Sequence, residues 1–289
     1  MDLTPRIERT LEQALRAAAG ADCPPRLADA LHYAVFPGGA RIRPRLALAV
    51  AKACGDDDPA AADAAAAAIE FLHCASLVHD DLPCFDDADL RRGKPSAHRA
   101  FGEPLAVLAG DALIVLAFET IAAAPMRRPE RIGALVGVVG RAVGAQGGIT
   151  AGQAWECESA VDLAAYHLAK TGSLFAAATV AGAAAAGAAH EPWRALGETI
   201  GEAFQVADDI SDHVGSEAQL GKPAGRDKAL GRPSAVLELG LEAAVGRLKS
   251  LVARAAALVP PCPGEADFRA LILHETRRFM PSGMKTVAA

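Results

Sequence analysis

Aromatic side chains are scarce in this chain, 4% of its residues, and methionine occurs only 4 times in 289. With so few rings, the core must be filled largely by alanine, abundant in stretches such as AADAAAAAIE and AAATVAGAAAAGAA. Alanine is the best helix former and a poor strand former, which favours closely packed helices over sheets. The six cysteines, at 23, 54, 74, 84, 157 and 262, include no C-x-x-C pair. That spacing excludes the usual zinc and dithiol motifs and leaves buried thiols of a reducing cytoplasm. No G-x-x-x-x-G-K-[ST] loop is present, so a nucleoside triphosphate is not indicated. There is no basic excess either: the net charge is −6, the sequence pI is near 5.8, and the basic residues are spread along the chain. A nucleic-acid partner is therefore not expected.

The hydrophobic runs read as core. The most apolar, Leu174 to Ala189, is mostly Ala and Gly, is broken by Thr179 and is short for a bilayer span. It reads as a buried helix, and no transmembrane segment is expected. The first residues, MDLTPRIERTLEQALRAAAG, carry acidic side chains and no continuous apolar core. They read as an amphipathic helix instead of a signal peptide, and the expected location is the cytoplasm.

What the chain does have is helical periodicity throughout and 52% hydrophobic residues, ample for a continuous core. Helices are expected over Arg6–Ala19, Pro25–Val35, Arg43–Ala53, Asp57–Val78, Pro104–Ala123 and Pro129–Val143. Later ones fall near Val161–Ala169, Ser173–Ala186, Glu191–Val214, Pro233–Leu258 and Glu265–Phe279. Turn signals such as Gly38-Gly39, Gly147-Gly148 and Pro260 to Gly264 punctuate them without dividing the chain into halves of different composition. The expectation is all-α: one domain over 1–289, a single large bundle of ten or more helices.

The chemistry concentrates in two acidic clusters. In HDDLPCFDDADLRRGKPS, Asp80, Asp81, Asp86, Asp87 and Asp89 crowd together, followed at once by Arg91, Arg92 and Lys94. Two carboxylates about 5 Å apart repel by roughly 3 kcal/mol at an effective dielectric near 20, so solvent or a cation must relieve them. Taken alone, the cluster reads equally as a wet loop or a metal site. Pro83 cannot continue a regular helix, so Asp80 and Asp86 can converge only through a bend. The second cluster, FQVADDISD, places Asp208 and Asp212 at i and i+4 on one helix face, close enough to share a divalent ion. Oxygen donors of this kind suit Mg2+, which keeps several waters and takes further ligands from substrate phosphates. Arg41, Arg43, Arg91, Arg92, Lys170 with Thr171, and Lys222 are the cationic and polar sites that could grip phosphate.

At these residues the chain resembles the trans-isoprenyl diphosphate synthases over essentially its whole length. The likeness runs in order through GGARIRP (38–44), HCASLVHDDLPCFDDADLRRGKPS (73–96), GDAL (110–113), GQAWE (152–156), KTGSLF (170–175), FQVADDISD (204–212) and GKPAG (221–225). The resemblance implies a homodimer of helical bundles of the isoprenoid synthase type, with three Mg2+ per active site between the two aspartate motifs. By matching position, Asp80 and Asp86 would bind metal from one motif and Asp208 and Asp212 from the other, with Asp81 and Asp209 as supporting carboxylates. Arg91, Lys170, Thr171, Gln205 and Lys222 would hold the allylic diphosphate, and Arg43, His73 and Arg92 the isopentenyl diphosphate. The resemblance further implies a locally broken helix around Gly172. Two positions depart from the family pattern. Ala40 stands where a lysine contacting isopentenyl diphosphate is usual, so that either Arg41 substitutes for it or affinity is weaker, and Glu156 stands where Asp is more common.

In this family a bulky residue below the first aspartate motif stops chain growth. Here Ala75, the fifth residue before Asp80, and its neighbour Ser76 are small, which implies the C20 product, geranylgeranyl diphosphate. In FPGGARIRP and AGQAWE the chain is most similar to bacterial synthases of that product in carotenoid and photopigment pathways. The alternatives are a C15 farnesyl diphosphate synthase and, more remotely, a non-catalytic regulatory subunit. A terpene cyclase is disfavoured because Asp208, Asp209 and Asp212 are all aspartate, and an HD-type phosphohydrolase lacks further histidines in recognisable spacing.

Overall fold

A computed structural model describes residues 3–36, 38–160, 163–214 and 234–276. Helices dominate them; the one sheet among the described residues is a hairpin of two two-residue strands. The chain forms two compact units, Met1–Arg141 with Ala177–His190, and Ala142–Ala176 with Glu191–Ala289.

The first unit is organised on α4 (Pro59–Asp80), flanked by α1 (Thr4–Ala18), α2 (Pro25–Val35), α3 (Ile42–Ala53) and α6 (Glu103–Ala123). Proline stands in the first turn of α1, α2, α4 and α6, where its missing N–H costs nothing. α4 is buried almost all round, from Ala61 to Val78, because its alanines let neighbouring helices approach closely while Ile69, Phe71 and Leu72 fill the space between. Each such large side chain contributes about 1.5–3 kcal/mol by leaving water. Gly182 of α10 (Ser173–Ala185) lets that helix touch α3 at the backbone: a Cβ there would lie 2.3 Å from the Ala47 carbonyl oxygen.

After α4, strands β1 (Leu90–Arg91) and β2 (Lys94–Pro95) pair across Arg92 and Gly93, whose φ angles of 55° and 76° match the two-residue hairpin turn that favours positive φ at both positions. The short α5 (Ala97–Phe101) leads into α6, and α7 (Ile132–Val143) follows a 3-10 turn at Pro129–Arg131.

In the second unit, α11 (Arg194–Val214) turns Ala203, Val206, Ala207 and Ile210 onto Val236 of α12 (Ala235–Leu239) and onto Ala244, Leu248 and Leu251 of α13 (Leu241–Ala257). α14 (Glu265–Thr276) packs against α13. The helix expected over Pro233–Leu258 is interrupted at Gly240, whose φ of 81° few other residues adopt. α8 (Ile149–Trp155), α9 (Leu163–His167) and a π turn at Leu168–Gly172 complete this unit.

Three helical stretches, Pro59–Asp80, Glu103–Ala123 and Ala165–Ala185, are long and apolar enough to cross a membrane by length and composition. The apolar windows of the first and third are 78% buried within the protein, that of the second 39%.

Candidate active site

In the first unit the carboxylates gather where α4 ends. The chain doubles back at Pro83: the Asp86 amide donates to the Asp80 carbonyl at 3.0 Å, and the Ala88 amide to the Asp81 carbonyl at 3.1 Å. Asp80 and Asp86 thus come side by side through the expected bend. Asp81 turns inward, 2% exposed, and accepts hydrogen bonds from Arg91 through Nε at 3.0 and 3.1 Å and through Nη2. Burial raises the Asp81 pKa above the usual carboxylate value against the pull of that guanidinium. Asp87 and Asp89 are paired with Arg99 at 3.1 and 2.8 Å. Gly110 of the GDAL segment leaves room for His79, since a Cβ there would lie 2.1 Å from its Nε2, and Asp111 approaches the same nitrogen at 3.5 Å.

The GGARIRP segment meets the arginine pair next to this bend. Arg92 lies against Gly39, where a Cβ would be 2.9 Å from its Nη2. Burial, with the charge of Arg92 adding to it, lowers the Arg43 pKa to about 10, still a cation at neutral pH. Burial and then the charges of Arg43 and Arg92 hold the His73 pKa well below the ordinary imidazole value, so the ring is neutral there. Arg43, His73 and Arg92 therefore form one electrostatic cluster. A cavity of about 110 Å³ beside it is lined by Tyr33, Phe36, Gly38, Arg91, Arg92 and Lys94. Lys94, noted in the sequence only as part of the basic run, has its Nζ 5.1 Å from the Tyr33 ring centre.

Arg41 does not fit the role expected of it. Its side chain is 1% exposed and donates to Glu70 at 2.6 Å, to Glu8 at 2.8 and 3.3 Å and to the Val35 carbonyl at 2.9 Å. Burial opposes the charge, but the bonds to Glu8 and the charge of Glu70 overcome it and raise the Arg41 pKa. A guanidinium so enclosed is part of the fold and does not replace a substrate-binding lysine at position 40. Of the residues expected to set product length, Ala75 is buried and Ser76 is half-buried, its hydroxyl donating to the His73 carbonyl at 2.8 Å.

In the second unit the helix around Gly172 is not broken as expected: it runs on from α9 into α10 and only widens to a π turn at Leu168–Gly172, a feature frequent at functional sites. Two glycines from other helices let the backbone crowd around it. A Cβ on Gly152 of α8 would lie 2.6 Å from the Lys170 backbone, and one on Gly201 of α11 would lie 2.9 Å from the Gly172 Cα. Lys170 Nζ donates to Glu156 Oε1 at 2.6 Å, and the Tyr166 hydroxyl donates to the same oxygen at 2.6 Å.

Thr171 donates to Gln205 Oε1 at 2.9 Å, the Gln205 amide donates to Asp209 at 3.0 Å, and the other Asp209 oxygen accepts the Ala235 amide at 2.8 Å. Asp209 is thus the inward, 5% exposed member of its pair, as Asp81 is of its own. Asp208 and Asp212 are half-buried one turn apart on α11. Lys222 and its GKPAG segment lie outside the described residues.

Among the described residues no three His, Cys, Asp or Glu side chains converge as a metal cage. Pairs of carboxylates nevertheless fit Mg2+, which binds through one or two of them and completes its shell with water and phosphate oxygen. Sequence reasoning missed Tyr166 and treated Glu156 only as a conservative change; neither has a local pattern that reports its partner.

Comparison with known proteins places these features in context. The Polyprenyl synthetase family matches residues 24–257. The geranylgeranyl diphosphate synthase of Cereibacter sphaeroides is 54% identical, covering 96% of this chain and 96% of its own. That of Rhodobacter capsulatus is 57% identical over 94% of each. Among solved structures, a geranyltransferase from Legionella pneumophila is similar with a TM-score of 0.77 and 32% identity, covering 96% of this chain and 93% of its own. A geranyltransferase from Helicobacter pylori, complexed with magnesium and isoprenyl diphosphate, has a TM-score of 0.76 and 30% identity, with coverages of 95% and 97%.

Proposed function

The chain belongs to the polyprenyl synthetase family, and from that premise we propose that it condenses isopentenyl diphosphate with an allylic diphosphate to make geranylgeranyl diphosphate. The observation that carries this reading is the identity of 54% and 57% with two geranylgeranyl diphosphate synthases over nearly the full length of all three chains. The small Ala75 agrees with a C20 product. A C15 product is the second reading, since an FPP/GFPP synthase from Zymomonas mobilis shares the fold at 34% identity and a TM-score of 0.75.

In the reaction the C1–O bond of the allylic diphosphate breaks, the isopentenyl double bond attacks C1, and a proton passes to the departing diphosphate as an alkene reforms. Asp80 and Asp86 in the first unit, and Asp208 and Asp212 in the second, would hold Mg2+, three ions in this reading, with Asp81 and Asp209 bracing each carboxylate set. Bound Mg2+ supplies positive charge against the diphosphate leaving group. Arg91, Lys170, Thr171, Gln205 and Lys222 hold the allylic diphosphate; Arg43, His73 and Arg92 hold that of isopentenyl diphosphate. A neutral His73 is a hydrogen-bond partner and adds no charge of its own.

The working unit in this reading is a homodimer. Its support is the apolar side of α6, where Val107, Leu108 and Val115 are 39%, 53% and 55% exposed. A cytoplasmic enzyme serving carotenoid and photopigment synthesis agrees with six cysteines that are all free thiols.

Purified protein incubated with Mg2+, isopentenyl diphosphate and dimethylallyl, geranyl or farnesyl diphosphate tests this directly, with the product alcohols identified by mass spectrometry. A C20 alcohol that disappears with EDTA is expected. Termination at C15 would replace the product assignment, and no condensation under any of these conditions would favour a non-catalytic subunit.

A further inference from the structure

We propose that Glu156 is a positioning residue for Lys170, acting together with Tyr166 to set the ammonium before the allylic diphosphate arrives. The proposal rests on the assignment of Lys170 to that diphosphate. α8 and the residue that caps its end reach Lys170 at two points four residues apart. At Gly152 the missing Cβ lets the helix press on the Lys170 backbone, where a side chain would come within 2.6 Å. One turn later Glu156 accepts the Lys170 ammonium at 2.6 Å. Tyr166, one turn before Lys170, donates to that same carboxylate oxygen at 2.6 Å and places its ring 5.8 Å from Nζ. Backbone, ammonium and carboxylate are each held by a neighbour, in a setting where the Lys170 and Glu156 side chains are only 20% and 25% exposed.

A lysine head on a four-carbon stem loses rotamer freedom when it binds an anion, and a head already fixed loses less. The sign of the effect separates this role from simple electrostatics. A carboxylate near a diphosphate repels it, so removing the charge of Glu156 should by Coulomb's law alone tighten diphosphate binding. Positioning predicts the reverse.

The test is calorimetric titration of the full-length enzyme with geranyl thiolodiphosphate and Mg2+, which needs no turnover, alongside steady-state kinetics and thermal melts to monitor folding. Glu156→Gln is expected to weaken binding about tenfold and Tyr166→Phe about threefold, in line with a charged and a neutral hydrogen bond. KM for geranyl diphosphate should rise in parallel while KM for isopentenyl diphosphate stays within about twofold, because only one diphosphate loses its grip. In a Lys170→Ala background, Glu156→Gln should add no further loss, since the two residues act through one contact. Equal or tighter analogue binding by Glu156→Gln, or the same loss with Lys170 already removed, overturns the proposal. If Lys170→Ala itself binds the analogue as the unaltered enzyme does, the assignment of Lys170 to the allylic diphosphate fails, and the proposal fails with it.

Discussion

Replacing Arg41 by Met asks whether this residue serves the fold or the substrate. The side chains of Arg41 and Glu70 are 1% and 2% exposed and lie 2.6 Å apart, whereas Glu8, the other carboxylate on Arg41, is 35% exposed. In Arg41→Met, Glu8 can turn to water, but Glu70 is left charged in the core without its cation. Breaking a buried pair in this way costs about 3–5 kcal/mol. At roughly 2–4 °C per kcal/mol for a chain of this size, the midpoint of thermal unfolding should fall by about 10 °C. Arg41→Met combined with Glu70→Met removes both charges and should regain most of the loss, because well-packed apolar replacements of buried pairs are commonly neutral. Urea and thermal unfolding measure the stabilities, and KM for isopentenyl diphosphate in the double variant measures the function. That KM should stay within about twofold of the unaltered enzyme, as expected when only the fold is touched. A single variant melting within about 1 °C of the original would refute the buried-pair argument. A double variant of full stability with a KM raised about tenfold would restore Arg41 to the substrate.

Three further outcomes are expected. Gly152→Ala must push the π turn away from α8, and a displacement of about 1 Å at Lys170 should lower kcat about a hundredfold with a much smaller effect on the melting temperature. Ala75→Phe should shift the product from C20 to C15; an unchanged product together with a destabilisation of about 1–3 kcal/mol would mean that position 75 faces filled core instead. His73 has a folded pKa below its unfolded value of about 6.5, so on acidification the unfolded chain takes the proton first. This residue's contribution to stability is therefore level above that pH and falls as pH drops below it. Urea midpoints between pH 5 and 8 should show that fall, and His73→Gln should flatten it; identical slopes in the two proteins would contradict a neutral His73.

Much of the helical framework was legible because its signals are local. Proline at the first turn of α1, α2, α4 and α6, and the apolar repeat of α11, report helix starts and buried faces without reference to distant residues. Gly240 was harder, since a glycine inside a helical pattern can either be tolerated or end the helix, and only its positive φ decides. Around Gly172 the expectation was a broken helix, and the π turn at Leu168–Gly172 inside a continuous helix replaces it; no apolar period announces it, and the backbone packing of Gly152 and Gly201 accompanies it.

The sequence by itself determined the helical class, the family, and the placing of Asp80, Asp86, Asp208 and Asp212, because capping prolines, i and i+4 spacing and a turn-forming Pro83 act over a few residues. Tertiary structure decided which carboxylates turn inward and which cations are already engaged. Asp81 belongs to Arg91, Asp209 to Gln205 and Ala235, Lys170 to Glu156, and Arg41 to Glu70 and Glu8 across 29 and 33 residues of chain. Such pairings depend on which helices meet and how far water is excluded where they do, and a one-dimensional pattern carries neither distance nor desolvation.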